Sequence, residues 1–165
     1  MNSSRFEQTD RAATTGMVAA LAATTMFFAA VASAYIVRRG ISDDWVVLSL
    51  PAPVYFSVLP GMAVSILVEA ARRKASRQVL MGAVAFAILF FYLVHAYAWR
   101  QIVHGNSPAA AFYFVLDGAF SLYAVSGIVA LLGSFQSLRL STTALYWHYL
   151  NALWILLLAL FYLWP

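Results

Sequence analysis

Five apolar stretches of about 20 residues each, bounded by charged or turn-forming residues, govern what this chain can become. They cover residues 15–37, 53–71, 79–99, 110–132 and 144–164. A hydrocarbon layer about 30 Å thick is crossed by about 20 residues of helix rising about 1.5 Å each, so every stretch is long enough to span it. Composition agrees. Of 165 residues, 64% are hydrophobic and 10% charged, which leaves too little polar surface to wrap a water-soluble globule. The reading is an all-α integral membrane bundle of five transmembrane helices, one domain over residues 15–165 behind a short polar segment, 1–14. The connecting segments 38–52, 72–77, 100–109 and 133–143 are too short for a second domain. The opening MNSSRFEQTDR carries both signs of charge and lacks the basic start, apolar core and cleavage site of a signal peptide, so Met1 is expected to be the mature start.

Charge sets the expected orientation. An odd number of spans puts Arg5, Arg11, Arg72, Arg73, Lys74, Arg77 and Arg139 on one face, seven cations against Arg38, Arg39 and Arg100 on the other. The positive-inside tendency then places the N-terminus in the cytoplasm and Pro165 outside. Trp45, Trp99, Tyr162 and Trp164 fall toward the outer interface, and Tyr146 and Trp147 toward the inner one, as an aromatic belt would. The net charge of +4 is too scattered for a nucleic-acid-binding patch.

Small residues recur at a spacing of four in the first stretch, as Gly16 with Ala20, Ala19 with Ala23, and Ala30 with Ala34. In lipid such a face lets helix backbones approach closely. It would serve either as a docking face for another subunit or as packing against a neighbouring helix of the same chain. Pro60 and Gly61 stand midway along the second stretch and are expected to bend it there.

Ionisable groups are costly at membrane depth, which singles out Glu69, His95, Asp117 and His148. His95 and Asp117 fall at similar depth near the outer surface on consecutive helices and could be partners. Glu69 and His148 fall near the inner surface beside Arg72 and Arg73. A phospholipid phosphate facing Arg72 or Arg73, with His148 donating to the head group and Glu69 balancing the charge, is one expectation there; a direct Glu69–His148 hydrogen bond is the other. The absence of cysteine excludes disulfides, thiolate chemistry and cysteine-held metals. Three histidines at scattered depths, with His104 in a loop, cannot assemble a binuclear haem or copper centre. With no hydrolase elbow, phosphate loop or dinucleotide glycine pattern, the chain is not expected to catalyse a reaction alone.

The final stretch reads ALYWHYLNALWILLLALFYLW. It resembles the closing segment of subunit III of the haem-copper terminal oxidases, in which Y-W-H-F precedes an acidic residue, a V-W or L-W pair, an apolar run and a Y-L-W ending. Tyr146, Trp147, His148, Trp154, Tyr162, Leu163 and Trp164 fall in step. The stretch GMVAALAATTMFFAAVASAYIVRRG is similar to that family's G-M-W-L-F-L-A-S-E-x-M-F-F-A…A-Y-L-V-x-R helix, and Trp45, Leu50 and Pro51 to the loop after it. FYFVLDGAFSLYAVSG resembles the family's F-Y-x-L-T-G-x-H-G-x-H-V-x-G-G. Departures are specific: Thr24 stands where the family has a buried glutamate, Phe120 and Tyr123 replace two histidines, His95-Ala96-Tyr97-Ala98-Trp99 replaces Q-x-x-E-x, and Asn151 stands where an acid is usual.

The likeness implies the short, five-helix form of subunit III in a bacterial cell (inner) membrane, N-terminus inside. It implies a non-catalytic subunit that stabilises catalytic subunit I, touches other small membrane subunits and binds phospholipid. Haem and copper would belong to the partner, none to this chain, and the electron donor would be cytochrome c or quinol. A subunit III-like partner of a nitric oxide reductase is an alternative, as is a small independent transporter using His95 and Asp117.

Overall fold

Apolar runs bounded by helix-capping and helix-breaking residues fold as helices whose ends follow the sequence. The computed structural model describes residues 2–41, 43–74, 76–102, 107–137 and 140–165; His104 and Arg139 lie outside the described residues, as do the side chains of Arg5 and Arg11. The order is α1 Asn2–Ile41, α2 Ala52–Phe56, α3 Val58–Lys74, α4 Arg77–Phe91, a π-helical segment Tyr92–Tyr97, α5 Ala98–Ile102, α6 Pro108–Ser137 and α7 Ser141–Leu163. Among the described residues five helical stretches are long and apolar enough to cross a membrane: Thr14–Ile41, Ala52–Lys74, Arg77–Arg100, Pro108–Phe135 and Ser141–Leu163. This is a multi-pass membrane protein. Ser76 starts α4 by accepting from the Val79 amide, and Ser107 starts α6 by accepting from the Ala110 amide ahead of Pro108.

Three features were not read from the sequence. The polar opening is helical and continues into the first span, α1 running unbroken for 40 residues, about 60 Å, twice the hydrocarbon thickness. The second span is interrupted at Ser57 and not at Pro60. The physical reason is the proline's missing N–H, which leaves the carbonyl one turn earlier without its partner and so moves the break toward the N-terminus. The third span contains the π segment, which hydropathy does not announce.

The core lies where α7 packs against α3, α6 and α1, with α4 against α3 and α6. Phe90, Phe120 and Trp154 interlock edge-on and tilted at 4.9–6.2 Å, joining α4, α6 and α7. Trp154 Nε1–H donates to Ser57 Oγ at 2.8 Å, so the break between α2 and α3 is held by a core tryptophan. Tyr146 and Trp147 are buried against α6: Trp147 Nε1–H donates to the Gly127 carbonyl at 3.2 Å. That approach depends on glycine, since a Cβ at Gly127 would lie 3.1 Å from both Trp147 and Tyr146 ring carbons. At one end of the bundle Tyr35 is fully buried, donates to the Trp164 carbonyl and meets the rings of Trp45, Phe112 and Phe161 edge-on at 5.1–5.7 Å. Arg39 Nε and Trp45 Nε1 both donate to the Pro165 carbonyl, at 3.0 and 3.4 Å. The loop after α1 and the end of α7 therefore share one end, as an odd number of spans requires.

Candidate functional site

Two polar groupings sit at membrane depth. The first joins the π segment to α6. Inserting a π turn rotates the helix after it, and as a result His95 and Trp99 both address Asp117. His95 Nδ1 lies 3.0 Å from Asp117 Oδ2, and Trp99 Nε1–H donates to the same oxygen. Ser121, one turn beyond Asp117, donates its hydroxyl to the Asp117 backbone carbonyl at 2.8 Å and stands 2.7 Å from His95 Nδ1. With a carboxylate oxygen and a committed hydroxyl oxygen both facing it, Nδ1 is the nitrogen that carries hydrogen, an assignment made from the network. His95 and Asp117 are 5% and 1% exposed, and two of their atoms, His95 Nε2 and Asp117 Oδ1, are buried without a hydrogen-bond partner. The Tyr113 hydroxyl reaches the Val94 carbonyl inside the π segment at 3.5 Å, answering an acceptor that the widened turn loosens. The sequence reading named His95 and Asp117 as possible partners, and the structure brings them together. It missed Trp99 and Ser121, whose only signal is their one-turn spacing from His95 and Asp117.

The second grouping lines a cleft of about 320 Å³ between α3 and α7, formed by Met62, Ser65, Ile66, Glu69, His148 and Asn151. Glu69 and His148 thus face the same space, yet they do not bond to each other. Glu69 is instead held by the arginines three and four residues on: Oε1 accepts from Arg72 Nη2 at 2.7 Å and Arg73 Nε at 2.8 Å, and Oε2 from Arg72 Nε at 2.8 Å. The expected direct Glu69–His148 hydrogen bond is therefore not made, because nearer cations on its own helix satisfy the carboxylate. His148 is exposed into the cleft, and Asn151 Oδ1 is buried there without a partner.

The small-residue face of α1 is uncovered. Gly16, Ala20, Ala23, Ala30 and Ala34 are all exposed, and a Cβ added at Gly16 would meet nothing within 4 Å. Across the most apolar window of this span 11% of residues are buried, against 33–56% in the other four. What α1 does bury is a narrow seam of Leu21, Thr24, Phe28 and Tyr35, about a third of a turn around the helix from the small residues. Packing within the chain does not use the small face. Among the described residues no group of three or more His, Asp or Glu side chains converges. No protein-family model matches the chain, and no curated protein matches it.

Proposed function

We propose that this chain is a non-catalytic subunit III of a bacterial haem-copper terminal oxidase, seated against the catalytic subunit through the open face of α1. The uncovered small-residue face carries the reading, because a span packed so sparsely by its own bundle while presenting Gly16, Ala20, Ala23, Ala30 and Ala34 outward suits close approach by a second helix bundle. The tyrosine–tryptophan–histidine segment at Tyr146–His148 and the glycine-to-arginine pattern of α1 support the identity of that partner. In this reading haem and copper sit in subunit I, the N-terminus is cytoplasmic and the membrane is the bacterial inner one. Phospholipid occupies the cleft between α3 and α7, where Glu69, Arg72 and Arg73 offer a charged rim and His148 a donor, above an apolar wall of Met62 and Ile66.

Purification in mild detergent tests the proposal. A larger chain with haem absorbance should co-purify, and the absorption spectrum of that partner separates an oxidase from a nitric oxide reductase. A colourless homo-oligomer would replace the subunit reading with that of an independent transporter.

A further inference from the structure

A histidine whose one ring nitrogen is tied to a carboxylate and whose other is bare is a base waiting for a proton or a metal. Beside His95 the described residues offer Asp117 and no third His, Asp or Glu, so the pair is read here as a proton site. We infer that His95 and Asp117 form a proton-holding dyad inside the membrane, with His95 Nε2 the atom that gains and loses the proton.

Charge and geometry both support this. With Nδ1–H directed at Asp117 Oδ2 and Nε2 bare, the dyad carries one negative charge in a region of low dielectric. A proton taken by the Nε2 lone pair brings the sum to zero, so loading removes a buried net charge instead of adding one. Trp99 Nε1–H, donating to Asp117 Oδ2, stabilises the carboxylate when the proton is absent, and Ser121 keeps Nδ1 in register. The proton comes from water and returns to it, and no other bond is made or broken. On the packed elements and the π segment itself, the remaining titratable groups are Tyr55, Arg77, Tyr92, Tyr97, Arg100, Tyr113 and Tyr123. None of them hydrogen-bonds to the dyad, and Tyr113 turns its hydroxyl to Val94. The end of α5 at Ile102 is seven residues from His95, about 10 Å along the helix, a short distance for a proton to enter from the adjoining aqueous face.

The inference is independent of any partner subunit and is tested on the full chain in lipid nanodiscs with nitrogen-15-labelled histidine. The His95 signals are assigned by their loss in His95→Gln and followed across about pH 5 to pH 9, the range in which imidazoles titrate. Nε2 should convert reversibly between bare and protonated forms while Nδ1 stays protonated. Asp117→Asn should alter that conversion, and Asp117→Glu should restore it. An Nε2 that does not change across the range, or a titration unaltered in a folded Asp117→Asn chain, would overturn the inference. If Asp117→Asn fails to fold, the wild-type titration decides alone.

Discussion

At Gly61 a single methyl group would land 2.8 Å from Asn151 Oδ1 and 3.2 Å from a Phe90 ring carbon, while at Gly16 it would touch nothing. Gly61→Ala should therefore destabilise the isolated chain by about 1–3 kcal/mol, the usual cost of overpacking, and Gly16→Ala should leave it unchanged. Denaturant unfolding of the detergent-solubilised chain, followed by tryptophan fluorescence, measures both. Ser57→Ala belongs to the same scale, since it strands the buried Trp154 Nε1–H and should cost about 1–3 kcal/mol in the same assay. Residue chemistry was legible in proportion to its cost in lipid. His95 and Asp117 stood out because ionisable groups are rare at that depth, whereas Trp99 and Ser121 are unremarkable residues that gain a role only when the π turn aims them. The Glu69 partners were legible and were passed over: the E-A-A-R-R spacing sets both arginines on its helix face, nearer than His148 on another span.

Helices were easier to foresee than their irregularities. Span number and position follow from hydropathy, because about 20 apolar residues admit one solution in lipid. The helical extension of α1 ahead of its span escaped that reading, since residues 2–11 are mostly polar and hydropathy does not distinguish a polar helix from a polar loop. The π segment escaped it too, because one inserted residue alters the phase of a helix without altering its composition. For α1 the bundle and the proposed partner make opposite demands on the same positions. Ala23→Phe lies on the exposed face, so the isolated chain should unfold at an unchanged denaturant midpoint, while recovery of the haem-bearing partner in co-purification should fall about tenfold or more. Unchanged recovery would move the docking surface elsewhere on the chain.

For the whole molecule, the absence of native cysteine makes orientation directly measurable. Single cysteines introduced at Asp43 and at Arg77 should react with an impermeant maleimide from opposite faces of the membrane, the Asp43 position from outside. Labelling of both from one face would contradict the five-span arrangement. Loop charge is the source of that expectation; which helices touch was not readable, because small and apolar residues on every span are equally compatible with several bundle orders.

The clamp that joins Tyr35, Arg39 and Trp45 to the Trp164 and Pro165 carbonyls also sets a clock on biosynthesis. During translation α1 is complete about 100 residues before α7 begins, and at about 5–20 residues per second its seat stays unfinished for about 5–20 s. Until α7 arrives the seam of Leu21, Thr24, Phe28 and Tyr35 has at most its α6 contacts, through Tyr123 and Phe112, and is incompletely covered. Nascent chains arrested before Ser141 should accordingly be cleared faster in a pulse-chase than the full chain, with α1 the span first attacked.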